Sequence, residues 1–384
     1  EAKEGTKIGT LADGGHKMAI YGVAWTSDSS KIVTASSDKT CKVWDAESRS
    51  VLSTITLGSA IENQQVGAVR VQDTICSVSL NGDINELDVA GATVKQVISG
   101  HNQKIYRVVY NADTRTFYTS GADGVVIAWD YGKGSKARVS GKGHTAAVNC
   151  MGLYNGNELV VTSVQNNLRF ISLDKFEYDK EEIKLKGCPN DLAVNGDVVI
   201  VVTHTGASIL KNKQLINEQT DLGFEPISIT ISKDGDKAVI GGADKIARLF
   251  DFDGSKLTKK AEFPVHRGKI TKVAFSPDAS LVAIGDSNRE IVVYNTDDQS
   301  VKYNGLVFHT SQINDLAWSP SGEYLASAAV EKNIIVWNLK ENKRAITDIA
   351  HLGGVNSLTF INDEENTVMT VGSDMCVKTW KFQF

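Results

Sequence analysis

The stretch Thr34–Asp45 reads TASSDKTCKVWD: a small hydroxyl residue, a tight turn tipped by an acid, and an alternating strand that ends in Trp-Asp. It returns as TSGADGVVIAWD from Thr119 and as TVGSDMCVKTWK from Thr370. Weaker copies read SVSLNGDINELD, TSVQNNLRFISL, VVTHTGASILKN, IGGADKIARLFD, IGDSNREIVVYN and SAAVEKNIIVWN, beginning at Ser77, Thr162, Val201, Ile240, Ile284 and Ser327. The nine copies start 43, 42, 43, 39, 39, 44, 43 and 43 residues apart. Self-similarity at that period marks an array whose units bury their faces only against one another.

Upstream of each well-formed copy lies an apolar alternation closed by a polar turn, as in IYGVAWTSDSSK from Ile20, ISITISKDGDK from Ile227, ITKVAFSPDASL from Ile270 and INDLAWSPSGEY from Ile313. Alternating Val, Ile and aromatic residues favour strand over helix, and Ser-Pro-Asp or Asp-Gly supplies the turn. A histidine precedes that strand at His16, His101, His144, His266, His309 and His351, six of the seven in the chain. Each unit is therefore about four short strands in roughly 40 residues, the period of a propeller blade with Gly-His and Trp-Asp cues. In such a blade the indole N–H reaches the Ser or Thr hydroxyl, the hydroxyl reaches the histidine, and the histidine reaches the turn acid, so every buried polar group has a partner. Full sets are His16/Thr34/Asp38/Trp44, His101/Thr119/Asp123/Trp129 and His351/Thr370/Asp374/Trp380, with His309/Ser327/Glu331/Trp337 a near-set. Elsewhere the tryptophan slot falls on Leu87, Ser172, Phe250 or Tyr294. Trp25 and Trp318, on first strands, are expected in the core.

Of the 384 residues, 41% are apolar and 23% charged, with a net charge of -5. That balance offers no basic field to nucleic acid and no patch for an anionic membrane. The five cysteines, Cys41, Cys76, Cys150, Cys188 and Cys376, are scattered and never spaced C-x-x-C, which fits free thiols in a reducing compartment and no zinc site. The phosphate-loop, HExxH and GxSxG signatures are missing from the sequence, so neither an enzyme nor a cofactor or metal site is expected. A His–Asp–Ser triad is the sharp alternative reading of the blade sets, but a nucleophile is needed once and the set recurs. The acidic turn Thr296–Asp298 and the mixed charge run Asp179–Lys186 read as solvated surface.

Nine units exceed the usual four to eight blades of one ring. The last copy ends after a third strand, and TVKQVIS, Thr93–Ser99, could supply its outer strand and cover the edge. The expected fold is all-β: a complete seven-bladed propeller over 93–384, preceded at 1–92 by the last two blades of another. The chain begins at Glu1 inside a loop, as a piece of a longer protein would.

Several stretches go beyond the generic blade: GSAIENQQVG (Gly58–Gly67), HRGKITKVAFSPD (His266–Asp278) with IGDSNREIVVYN, FHTSQINDLAWSP (Phe308–Pro320) with NIIVWN, and AHLGGVNSL (Ala350–Leu358). Over essentially the whole chain these resemble the actin-interacting protein 1 family of WD-repeat proteins, which is built of two seven-bladed propellers in tandem. The departures are SAAVEKN (Ser327–Asn333), with Ala and Glu where the family has Gly and Asp, and the divergent region 162–222. The resemblance implies a non-enzymatic cytoplasmic partner of actin filaments and ADF/cofilin that promotes filament severing and disassembly and limits barbed-end growth. A generic scaffold or peptide-recognition subunit is the competing class. Candidate contact residues lie beside the histidines, where loops meet strand starts: Asn102, Lys104, Arg107, Asn149, Arg267, Lys269, Gln312 and Asn314. Ordinary solvated loop positions are the plain alternative for them.

Overall fold

The computed structural model describes residues 9–11, 14–131, 134–141, 143–362 and 364–384, with backbone alone at 134–136. Among these residues the chain is a succession of short strands interrupted by one 3-10 turn, Ile61–Asn63. Nine antiparallel sheets form in chain order, as the repeat arithmetic expects. By contacts the chain divides into two units, Glu1–Asn102 with Ser135–Ala137, and Gln103–Gly134 with Arg138–Phe384.

The first unit holds two four-stranded sheets. Strand Thr93–Ile98 pairs antiparallel with Ile84–Asp88 in the second of them, and the last sheet of the chain has three strands among the described residues. The outer-strand exchange expected from the sequence is therefore replaced by a local hairpin. The connection Val89–Ala92 is short, and its last residue adopts φ 55°, so closing onto the neighbouring strand costs little chain entropy. Trp25 also departs from expectation. Strand Ile20–Trp25 packs against Gln65–Val71 on one side, and Tyr21, Val23 and Trp25 are exposed, Trp25 at 48%.

The second unit holds seven sheets, whose first strands are Ile105–Asn111, Val148–Tyr154, Pro189–Asn195, Pro226–Ile231, Ile270–Phe275, Ile313–Trp318 and Val355–Ile361. Each packs against the next, and Val355–Ile361 packs against Ile105–Asn111, which closes the cycle. The core lies between successive sheets. Ile200 and Ile209 meet Ile229, Ile240 and Phe250, for example, while Trp337 and Leu316 meet Ala283, Ile291 and Val293.

One device recurs near the start of every first strand. The pairing register slips by one residue between Ile105 and Arg107, Val148 and Cys150, Pro189 and Asp191, Pro226 and Ser228, Ile270 and Lys272, Ile313 and Asp315, and Val355 and Ser357. A bulge of this kind leaves one residue unpaired and re-aims its neighbour.

Part of the two short repeat steps lies in their hairpins. Thr34 pairs with Lys42, eight residues on, but Thr162 pairs with Leu168 and Val201 with Ser208. Those hairpins are shortened, so the tryptophan slot holds Phe170 and Leu210, and Ser172 lies outside it.

Candidate partner-binding face

The histidine sets come first, because they fix the end of each sheet at which loops converge. In the first unit Trp44 donates to the Thr34 hydroxyl at 2.8 Å, His16 Nε2 lies 2.7 Å from that hydroxyl, and His16 Nδ1 lies 2.9 Å from Asp38. In the last sheet Trp380 donates to Thr370 at 2.9 Å, while His351 meets Thr370 at 2.8 Å and Asp374 at 2.7 Å. His309, Ser327, Glu331 and Trp337 make the same chain, with glutamate reaching His309 Nδ1 at 2.5 Å. Since the indole can only donate, the order is Trp to hydroxyl, hydroxyl to Nε2, and Nδ1–H to carboxylate. Burial pushes the Asp374 carboxyl up, but His351 and the Leu352 N–H outweigh it and bring it down to about 2. Burial pushes His351 below its ordinary value.

The remaining full set expected from the sequence is His101/Thr119/Asp123/Trp129. Its histidine falls in the first unit and its other three members in the second, because the chain divides after Asn102. In the second unit Trp129 donates to the Thr119 hydroxyl at 2.7 Å, as in the other sets. Asp123 is half-buried in the turn and accepts from the Val125 N–H at 3.1 Å, so this acid holds its own hairpin turn, as Asp38 does through the Thr40 N–H. His101 is buried at the end of the first unit.

The bulges place two further sets. Asn149 donates to the Pro189 carbonyl at 2.5 Å, Asn190 to Pro226 at 2.7 Å, Asn314 to Val355 at 2.8 Å and Asn356 to Ile105 at 2.6 Å. Each bond joins one sheet to the next, and the last joins the final sheet to the first of this unit. Asn149 and Asn314, expected at a partner face, are thus spent on ring contacts, because the bulge turns them sideways. Arg107 is likewise drawn inward. The residue after each bulge faces the middle of the ring, giving Arg107, Cys150, Asp191, Ser228, Lys272, Asp315 and Ser357. Arg107 lies 3.2 Å from Asp191, and Lys272 lies 3.0 Å from Asp191 and 3.6 Å from Asp315. Ser228 donates to Asp191 at 2.7 Å and Ser357 to Asp315 at 2.6 Å. Burial works to raise the Asp191 carboxyl, yet Lys272 and Arg107 hold it below the usual range. Burial also pushes the Cys150 thiol up to about 11, so this thiol is inert at neutral pH.

The other candidates stay at the surface. Lys104, Arg267 and Lys269 are exposed and Gln312 is half-buried, all beside the starts of first strands. Asn102 is exposed at the end of the first unit. In an antiparallel sheet the approach to the first strand and the turn between second and third strands share one end. That end carries Val265, Val307, Phe308, Val330, Ile349, Leu352 and Met375, an apolar series over three successive sheets, with Val265 at 68% and Leu352 at 67% exposed. Arg344 lies over the Phe308 ring, 3.3 Å from its centroid. Exposed apolar groups interleaved with cations are what a protein-binding rim presents. The sequence reading found the cations. It missed the apolar residues, whose signal at Val265 and Phe308 was a large side chain immediately before the histidine.

The run Asp179–Lys186 is only partly solvated: Glu182 pairs with the buried Arg169 at 2.6 Å, and Asp179 with Lys213 at 2.9 Å. Asp298 is occupied by its own turn, accepting from the Ser300 hydroxyl at 2.6 Å. Trp318 packs on the core and donates to the Ala274 carbonyl at 3.1 Å. Among the described residues, the side chains close enough together to hold a metal ion are His266, Asp286 and Glu290. No helix among them is long and apolar enough to cross a membrane.

With this geometry in place, likeness to known proteins can be weighed. The family model described as WD domain, G-beta repeat matches residues 5–45, 92–130, 257–295 and 301–338. The chain is 33% identical over 392 residues to WD repeat-containing protein 1 of Xenopus tropicalis, covering 100% of this chain and 64% of that protein. It is 31% identical to the 66 kDa stress protein of Physarum polycephalum, over 99% of this chain and 63% of that one. It is 30% identical to actin-interacting protein 1 of Drosophila melanogaster, over 97% of this chain and 62% of that one. The chain thus spans a little under two thirds of the length of these curated relatives.

Proposed function

We propose, from the four WD-repeat matches and from relatives named WD repeat-containing protein 1 and actin-interacting protein 1 that are similar over nearly all of this chain, that it is an actin-binding protein that carries out no chemistry of its own. It works with ADF/cofilin to promote severing and disassembly of actin filaments and to limit barbed-end growth. The observation that carries this reading is the likeness to a protein named for actin interaction across 97% of the chain, divergent blades included. A blade pattern alone would fit any scaffold, since fold does not name a partner. The two sheets of the first unit belong to one propeller and the seven of the second to another, with the boundary after strand Thr93–Ile98. The filament contacts the rim of Lys104, Arg267, Lys269 and Gln312 with its apolar neighbours, which supports a large flat partner over a small ligand.

The test is co-sedimentation of the folded chain with actin filaments, with and without cofilin. Pelleting that requires cofilin is the expected result. Protein that stays in the supernatant in both cases, while retaining its unfolding transition, would favour the scaffold reading instead.

A further inference from the structure

We propose that the sheet built on strand Ile270–Phe275 carries a divalent transition-metal site, of the kind that takes Zn2+, made by His266, Asp286 and Glu290. The argument begins with how this blade departs from its siblings. In two complete sets and the near-set, Nδ1 of the histidine lies 2.9, 2.7 and 2.5 Å from its acid. Here Nδ1 of His266 lies 3.7 Å from Asp286 Oδ2 and has no hydrogen-bond partner, although its side chain is 1% exposed. A buried nitrogen left this way costs free energy unless something occupies the gap.

The sequence explains the gap. In IGDSNREIVVYN the acid sits third, at Asp286, where the complete sets place it fifth; the fifth place here is Asn288. The hydroxyl position is Ile284, so nothing there can bridge to the ring. Tyr294, in the tryptophan slot, meets Nε2 directly at 3.1 Å. The seventh place holds Glu290, where the complete and near-complete sets have Thr40, Val125, Asn333 and Cys376. The substitutions that remove the usual relay thus also bring in a second carboxylate. One ligand atom from each of His266, Asp286 and Glu290 lies within 4.8 Å of the others.

The surrounding bonds hold these groups for a cation. Asp286 is fully buried, and its carboxylate accepts from the N–H groups of Glu290, Gly268 and Asn288. Those N–H groups fix the carboxylate plane at 2.9, 2.9 and 2.8 Å. When Nε2 carries the ring proton and donates it to the Tyr294 oxygen, the Nδ1 lone pair faces the two carboxylates. That is the outer hydrogen bond by which metal-binding histidines are oriented. One imidazole with two carboxylates suits Zn2+ or Co2+ over Mg2+ or Ca2+, which prefer all-oxygen sets. Glu290 is partly exposed and loosely met by Arg267 at 3.9 Å, so its flexible chain can close the last ångström.

Titration of the chelator-treated full chain with Co2+, followed by its visible spectrum, and with Zn2+ by calorimetry, tests this. One equivalent should bind, with ligand-field bands and no thiolate-to-metal charge transfer. Glu290→Gln should weaken binding at least tenfold while leaving the metal-free melting temperature unchanged. Tyr294→Phe should weaken it about tenfold. A charge-transfer band would place the metal on the free cysteines and overturn the proposal, as would no saturable equivalent or equal affinity in Glu290→Gln.

Discussion

At the scale of single residues, the histidine sets are structural staples with an acid-sensitive signature. Asp374→Ala leaves His351 buried with Nδ1 unpaired, and should lower stability by about 2–4 kcal/mol, read as the midpoint of chemical denaturation. An unchanged midpoint would contradict the network. The pH dependence has two windows. His351 is lowered in the fold and His144, buried with neither ring nitrogen bonded, is pushed down to about 4. Histidines depressed in this way take up protons first in the unfolded chain, so stability falls as pH drops from about 6.5 toward 4. Asp38 and Asp374 are lowered to about 2, so their contribution is complete above the unfolded carboxylate value and drains away between about pH 4 and 2. Denaturation midpoints that stay level from pH 6.5 to 4.5 would exclude the histidine part.

At the scale of the element, the bulge in each first strand matters most. In four strands it turns an asparagine to the neighbouring sheet, and the residue after the bulge turns to the ring centre. The central set balances two cations against two carboxylates, and its energy lies in being complete. Asp191→Ala would strand Arg107 and Lys272 together and should cost about 3–5 kcal/mol by denaturation. Adding Arg107→Met and Lys272→Met should recover most of that loss, because a packed apolar set needs no counter-charge. Failure to recover would mean that the cations serve some further contact.

At the scale of the whole molecule, the second unit closes, among the described residues, with a three-stranded last sheet and no borrowed outer strand. The final sheet is tied to the first by Asn356, whose amide donates to the Ile105 carbonyl, and by packing of Ile361, Met369 and Val371 with Ile105 and Phe117. Asn356→Ala should cost only about 1 kcal/mol globally. It should nonetheless speed amide exchange in Ile105–Asn111 and Val355–Ile361 more than Asn314→Ala does in its own pair of strands, because closure is where the ring opens. The rim is a separate matter. Reversing Lys104 and Lys269 to glutamate should weaken filament association without changing the melting temperature, since both are exposed. Unchanged co-sedimentation would remove them from the contact.

The sequence by itself determined the period, the all-strand character, the number of sheets and the histidine staples at His16, His309 and His351, because each depends on side chains fixed by local spacing. The hydroxyl, the acid and the tryptophan hold constant separations in the complete hairpins. Tertiary structure alone decided what each unit does with its first strand. Asn149 and Asn314 read as surface amides and became ties between sheets; Arg107 read as a rim cation and became part of a buried ionic set. One residue of register slip separates those outcomes, and a bulge leaves no mark in composition or alternation. The same limit hid the grouping of His266, Asp286 and Glu290. The two acids lie 20 and 24 residues beyond the histidine, and only the pairing of strand with strand brings a turn acid and a strand-start acid against one buried imidazole. Closure was decided by tertiary structure too: a short turn kept Thr93–Ile98 on its own hairpin, and the Asn356 amide ties the final sheet to the first of its unit.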